Sequence, residues 1–292
     1  MTAFSPFAPP TLPKGKPMIA STSSRKLETD EPSLRLAVLI DADNAQASVI
    51  EGLLAEIARF GEATVKRIYG DFTSPASAQW KKTLNRHAIK PVQQFAYTSG
   101  KNATDGAMII DAMDLLYTRR FDGFCLVSSD SDFTGLALRI REEGLTVLGF
   151  GEEKTPDAFR NACHKFIFTE VLRPPPATET LEIAAPPAVE KPTPQAANIA
   201  VTPDKSTPAK KALPIQFVVQ ALDQAEDDDG WANLGAFGSY LTKLQPDFDP
   251  RLYGFKKLSD LVKSKPHVFS VEERPVAGSN SKVVYVRRKA KH

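Results

Sequence analysis

The chain has 292 residues, enough for one large or two modest domains, and its 37 Lys+Arg stand against 35 Asp+Glu. That balance excludes polyanion binding through bulk charge, so any basic surface has to be local. No apolar run approaches the ~20 residues of a membrane span, which excludes a helical membrane protein. The two cysteines, Cys125 and Cys163, form neither a metal-ligand pattern nor a disulfide framework. Reduced thiols and a cytoplasmic location are expected.

Residues 1–33 are rich in Pro, Ser and Thr and carry no continuous apolar segment, so they read as a disordered tail rather than a secretory signal. The first ordered element is the apolar run 36–40, which ends in Asp41-Ala42-Asp43-Asn44. A short apolar run that stops at polar groups reads as a strand buried on both faces. Ligands bind where such strands end in an open α/β sheet, so Asp41 is the first candidate site residue.

Further strands are expected at 64–71, 91–95, 123–128, 145–150 and 165–168, beside the first at 34–41. Helices are expected at 44–60, 75–87, 104–118, 131–143 and 156–162. This alternation predicts an α/β domain over 34–172, with a mainly parallel sheet covered by helices on both faces. Gly61 and Gly144 stand where left-handed helix caps are expected. Thr155-Pro156 reads as a helix cap followed by proline at the first helical position.

From 173 to 212 Pro, Ala, Thr and Glu dominate. Such a segment cannot bury enough apolar surface to offset chain entropy and reads as a semi-extended linker. Residues 213–288 then read as a small α+β domain, with helices at 215–225, 234–244 and 256–263. Strands at 268–272 and 283–287 follow, joined by the turn 277–280. Three helices and a hairpin give a winged-helix order. A basic tail, 289–292, ends the chain.

Three acidic positions converge on one edge of the expected sheet. Asp41 ends the first strand, Asp105 lies in the first turn of the third helix, and Asp130 and Asp132 follow the strand at 123–128. A cluster of carboxylate oxygens suits hard Mg²⁺ or Mn²⁺, and such an ion stabilises a phosphodiester under attack. Each acid also has a local reading. Asp43 or Asn44 would cap the next helix, Thr104 would cap the helix that holds Asp105, and Ser129 with Asp132 resembles a capping box. Capping does not explain why acids recur at one sheet edge. Asp111, about 120° round the helix from Asp105, cannot easily reach the same ion and reads as structural, while Asp114 reads as solvated. His87 and His164 have no patterned partners and are not expected to act as bases. Lys81, Lys82 and Arg86 on one helix offer a substrate grip but read better as a solvated face, and Lys154 reads as a weak phosphate contact at the start of the fifth helix.

Leu39-Ile40-Asp41-Ala42-Asp43-Asn44, then Lys101-Asn102-Ala103-Thr104-Asp105 with Asp111 six residues on, then Ser128-Ser129-Asp130-Ser131-Asp132-Phe133 resembles the NYN domain, in particular its LabA-like branch. Thr104 and Gly106 depart mildly from the apolar neighbours expected around Asp105. NYN domains belong to the PIN-like nuclease superfamily, typically metal-dependent ribonucleases. The resemblance implies metal-binding and catalytic roles for Asp41, Asp105, Asp130 and Asp132. It makes Asn44, Lys101, Ser128 and Ser129 the candidate substrate contacts.

Downstream, Gly230-Trp231-Ala232-Asn233-Leu234, Gln245-Pro246-Asp247-Phe248-Asp249-Pro250-Arg251 and Tyr253-Gly254-Phe255-Lys256-Lys257-Leu258-Ser259-Asp260-Leu261 resemble the OST-HTH (LOTUS) domain, a family associated with RNA. Lys256, Lys257 and Lys263 bracket the third helix of this module and Arg287 and Arg288 lie near the chain's end. These are the candidate RNA contacts, where each neutralised phosphate releases counterions. Tyr253 and Phe255 are read as base-stacking or core residues. The expected function is an Mg²⁺- or Mn²⁺-dependent ribonuclease whose C-terminal module recruits RNA through a flexible tether. The alternatives are a non-catalytic RNA-binding adaptor and a haloacid-dehalogenase-type phosphatase built on Asp41-Ala42-Asp43. The phosphatase motif would want Ser or Thr where Ala45 stands.

Overall fold

Strands β1 (Leu34–Asp41), β2 (Gly61–Gly70), β3 (Lys90–Gln93), β4 (Gly123–Val127), β5 (Thr146–Gly151) and β6 (Lys165–Phe168) form one parallel sheet in the order β3-β2-β1-β4-β5-β6. The computed structural model describes residues 33–73, 78–95, 102–173, 212–227, 229–275 and 282–289. The tail, the linker, the turn 277–280 and Lys101 fall outside these residues. Helices α1 (Ile50–Ile57), α2 (Ala78–His87), α3 (Asn102–Tyr117), α4 (Thr134–Glu142) and α5 (Asp157–Ala162) connect the strands.

Strand alternation sorts the side chains between two cores. In β1, Leu36, Val38 and Ile40 face α1 and α2, while Ala37 and Leu39 face α3, α4 and α5. The same period places Cys125 and Val127 of β4 on the first face and Phe124 and Leu126 on the second. Both faces are fully covered, which is why these strands are continuous apolar runs. The order reverses between β1 and β4, and in doubly wound sheets the ligand crevice opens at such a reversal.

Local chemistry sets several boundaries differently from the sequence expectation. Gly61 does not cap a helix. It opens β2, where an added Cβ would sit 2.2 Å from the Leu34 carbonyl oxygen. Close strand approach, not a positive φ, therefore demands glycine there. Gly144 is left-handed as expected, with φ of 78°. After β1 the chain turns back before helix begins: the Ala45 N–H donates to the Asp41 carbonyl (3.0 Å) and a short 3-10 turn, Ala47–Val49, precedes α1. Neither Asp43 nor Asn44 caps it. Helix α3 starts two residues earlier than expected, so Thr104 lies buried inside its first turn. Pro156 takes the cap position of α5, and the Thr155 hydroxyl donates to the Glu152 carbonyl (2.6 Å).

The C-terminal module contains α6 (Ile215–Asp223), the two-residue strand β7 (Ala232–Asn233), α7 (Leu234–Leu244), α8 (Leu258–Lys263), β8 (Phe269–Pro275) and β9 (Lys282–Arg288). Its antiparallel sheet runs β7-β9-β8. Asn233 caps α7 by accepting from the Gly235 and Ala236 N–H groups (2.8 and 3.2 Å). Phe237, Leu241, Leu261, Val262, Phe269 and Val286 are the heart of its core. Tyr253 and Phe255 pack against that core, Tyr253 with its ring 5.7 Å from Phe248.

The module does not hang free. Ser33–His292 form one compact unit, and the contact surface lies along β6, the sheet's outer strand. The Phe166 N–H donates to the Pro246 carbonyl (2.9 Å), and Leu252 packs against the core on the α3 face. Arg160 of α5 pairs with the nearly buried Asp247. Arg251 reaches Glu56 of α1 with both terminal nitrogens (2.9 and 3.2 Å) and holds Asp249 beside it (2.6 Å). Glu56 is only 6% exposed.

Candidate active site

Strand parity brings the acids together. Asp41 follows Ala37 and Leu39 on the α3 face, and Ser128, one residue beyond β4, follows Phe124 and Leu126 on that same face. Asp41 is completely buried. Its Oδ2 accepts from the Ser128 hydroxyl (2.9 Å) and the Asn44 side-chain amide (2.6 Å), and its Oδ1 accepts from the Asp43 N–H (2.9 Å). The Ser128 hydroxyl in turn accepts from the Asp130 N–H (3.1 Å), so one side chain ties the ends of β1 and β4 together.

Above this base, carboxylate oxygens of Asp105, Asp130 and Asp132 all lie within 4.8 Å of one another. Asp105 comes from the first turn of α3 and is partly buried. Asp130 caps the 3-10 turn Ser131–Phe133, its Oδ1 accepting from the Asp132 N–H (3.0 Å). Asp130 is thus the capping residue here, not Ser129 as the expected capping box had it, and its other oxygen remains available. Asp132 is exposed and closes the outer side.

Electrostatics mark the cluster as mutually repelling. Burial raises the Asp41 carboxyl, although Asn44, Ser128 and the Asp43 N–H each pull it back. Asp105 is pushed up to about 6, first by burial and then by the charges of Asp41, Asp130, Asp132 and Asp43. An all-oxygen donor set of mutually repelling carboxylates fits a hard divalent cation.

A pH dependence follows for the metal-free protein. The folded pKa of Asp105 lies above the ordinary value of 3.8, so its proton favours the folded state. That contribution is complete below about pH 4 and is lost as pH rises through about 6. A divalent ion held by Asp105 would have to displace the proton. The thermal shift produced by Mn²⁺ is therefore expected to grow between about pH 5 and 7, and Asp105→Asn to flatten that growth. Melting curves with and without the ion at each pH check this.

The other sequence candidates fall elsewhere. Ser129 is buried and its hydroxyl accepts from the Glu152 N–H (2.8 Å), joining the ends of β4 and β5. Lys101 lies outside the described residues. Asp111 has the structural role expected of it: it pairs with Arg67 and accepts from the Tyr69 hydroxyl. Asp114 is exposed. Asp43 is exposed and contributes its N–H to Asp41, so it does not face Asp41 as the second acid of a phosphatase pair would. Nδ1 of His164 accepts from the Val147 N–H (3.0 Å), at the far end of the sheet from the acids. Lys154 pairs with Glu152 (2.8 Å).

In the C-terminal module, Lys256 and Lys257 are exposed. Lys263 pairs with Glu273 (3.0 Å) and Arg288 with Asp223 (2.8 Å). Arg287 lies over the Trp231 ring, 4.6 Å from its centroid, and Arg274 lies over the same ring at 5.1 Å. Sequence reasoning missed Arg67, Tyr69, and the docking pairs of Glu56 and Asp247. One signal was readable: Glu56 follows Leu53 by three residues, on the apolar stripe of α1.

Comparison with known proteins finds two families along the chain. The NYN domain matches residues 35–172 and the OST-HTH/LOTUS domain matches residues 205–280. No curated protein matches the chain significantly. Among solved structures, an uncharacterized protein of Nitrosomonas europaea is 52% identical, over 34% of this chain and 95% of that one, with a TM-score of 0.28. A Chromobacterium violaceum protein is 34% identical over 30% of this chain and 95% of that one, with a TM-score of 0.22. A Vibrio parahaemolyticus protein of unknown function is 19% identical over 47% and 94%, with a TM-score of 0.41. The six-stranded parallel domain with its acidic crevice is thus an NYN domain, and the chain joins it to an OST-HTH/LOTUS domain.

Proposed function

We propose that this protein is a divalent-metal-dependent ribonuclease that hydrolyses RNA phosphodiester bonds, with RNA recruited by the C-terminal module. The observation that carries the reading is the trio Asp105, Asp130 and Asp132, within 4.8 Å of one another and seated over buried Asp41 at the chain reversal. The domain boundaries that go with it are 34–172 for the nuclease and 213–288 for the RNA module.

Asp105, Asp130 and Asp132 would hold Mg²⁺ or Mn²⁺, with Asp41 completing the set. When bound, the ion would supply neutralisation of phosphate charge and activation of water. Asp41 has acceptor capacity left on Oδ1 alone, because Oδ2 already receives two hydrogen bonds. Ser128 and Asn44 fix its orientation, so both act by positioning rather than by touching RNA. Asp132, the outermost acid, leaves the crevice open toward solvent, where the phosphate chain would enter. Among the described residues, this reading gives no histidine the role of general base and no side chain that of covalent nucleophile.

Among the described residues no helix is long and apolar enough to cross a membrane. The buried, unpaired Cys125 and Cys163 support a reducing, cytoplasmic setting.

A cleavage assay tests the proposal, using labelled RNA with Mg²⁺, with Mn²⁺ and with chelator, for the wild type beside Asp41→Asn. Metal-dependent cuts by the wild type and none by Asp41→Asn are expected. Tight RNA binding with no cleavage under any metal would replace this reading with an RNA-binding adaptor.

A further inference from the structure

A second site lies between the two domains, at the opposite end of the strands from the acids. The docked module leaves a cavity of about 680 Å³ against β6 and the end of α1. Glu56, Arg59 and Lys165 line it from the NYN side, and Lys243, Arg251 and Lys256 are among the residues that line it from the module. Lys257 and Asp249 complete its charged groups. Two of the six cations are neutralised in place: Arg251 by Glu56 and Asp249, and Arg59 by Glu56 (3.2 Å). Four remain. Lys165 lies over the Phe60 ring, 5.4 Å from its centroid, and Lys243, Lys256 and Lys257 are exposed and make no ion pair among the described residues.

The floor of the cavity is shaped for close approach. Gly235, Gly238, Ser239 and Thr242 of α7 all line it, at the spacing that places residues on one helix face. Small side chains there let a ligand reach the helix surface. The lining offers no exposed Phe, Tyr or Trp, because Phe248 is 4% exposed and packed on Tyr253 and Phe217, and the one exposed ring is the His164 imidazole, whose Nδ1 accepts from the Val147 N–H (3.0 Å). Such a lining, with four lysines against one imidazole, favours phosphates over bases.

We propose that this interdomain cleft binds the phosphodiester backbone of single-stranded RNA, with Lys165 of the NYN domain and Lys243, Lys256 and Lys257 of the module neutralising consecutive phosphates. The inference rests on the RNA reading above and extends it. Neither domain alone assembles the cleft. Its volume falls in the range that encloses a small ligand, which suits a short stretch of one strand. Lys165 begins β6, whereas Asp41 ends β1, and the eight residues of β1 span ~26 Å. The cleft therefore grips RNA at a distance from the acids, and only a strand long enough to run from one end of the sheet to the other would occupy both.

The test uses the full chain carrying Asp41→Asn, without divalent metal, and fluorescence anisotropy of labelled oligouridylates of increasing length across a salt series. Lys165→Gln and Lys243→Gln come from different domains. Each is expected to weaken binding several-fold and to flatten the salt dependence by about 0.7 in log–log slope, the share of one single-strand phosphate. Lys81→Gln/Lys82→Gln on the exposed face of α2 is expected to change nothing, and unchanged melting curves confirm folding. Parent-like binding by both cleft variants overturns the proposal, as does a loss confined to Lys256→Gln and Lys257→Gln. Displacement of the oligomer by inorganic phosphate or uridine monophosphate at equal phosphate concentration overturns it too, since the cleft would then take a single phosphate. RNA cleavage by the wild type, measured in parallel, separates the two readings. If cleavage persists while the cleft variants bind normally, the cleft falls and the ribonuclease stands.

Discussion

Asp130→Asn is expected to lower metal-dependent RNA cleavage by more than about 1,000-fold, the rate equivalent of several kcal/mol of lost charge stabilisation. Ser128→Ala is expected to cost about 10- to 100-fold, the usual effect of removing a residue that orients a metal ligand. The two changes act at different levels of one structure. Asp130 supplies an oxygen to the trio. The Ser128 hydroxyl is engaged on both sides: it donates to Asp41 (2.9 Å) and accepts from the Asp130 N–H (3.1 Å). Its loss leaves every carboxylate present but lets the ends of β1 and β4 drift. Single-turnover cleavage across a Mn²⁺ titration distinguishes these roles. Excess Mn²⁺ should recover most of the activity of Ser128→Ala and none of that of Asp130→Asn. Equal, unrescued losses would mean that Ser128 does more than position its neighbours.

Arg251→Met is expected to undock the C-terminal module. The guanidinium is shared by Glu56 and Asp249, and both acids are nearly buried. Removing one partner of a buried pair costs about 3–5 kcal/mol, because the remaining charge is stranded. Arg59 still pairs with Glu56 (3.2 Å), so the lower end of that range applies. The measurement is chemical denaturation followed by Trp231 in the module and by Trp80, 2% exposed between α2 and the sheet. The wild type should unfold with the two probes moving together, and Arg251→Met with the module melting first. Adding Glu56→Gln to Arg251→Met should restore part of the loss, since the stranded charge goes with it. Coincident and unshifted transitions in the variant would show that the salt bridges do not hold the domains together.

The parts of this molecule that could be read from sequence are those set by local pattern. The run 36–40 announces a strand because both its faces are buried, and its polar terminus announces the crevice. Asp105, Asp130 and Asp132 were legible because parallel strands must share an edge. The strand order was not legible. Nothing in the chain's local periodicity says that β4 inserts beside β1 rather than beside β3, although that choice creates the crevice. Gly61 misled because glycine serves both left-handed caps and close backbone approach, and only the position of the Leu34 carbonyl decides between them. The docking of the module escaped for a related reason. Glu56 and Arg251 are 195 positions apart, and each has a local reading, the one a polar residue on a helix and the other part of a proline turn.

The hydrogen bond from Phe166 to Pro246 bears on the exposed edge of the sheet. A parallel sheet ends in an open row of backbone donors and acceptors, a template on which other copies can stack. On the β6 side, a carbonyl from a separate domain occupies part of that row, and Arg160 and Asp247 close over it. An NYN domain cut free after Leu172 would lose this guard and present β6 to its own kind. The fused module thus serves as a built-in shield for its neighbour, whatever it binds.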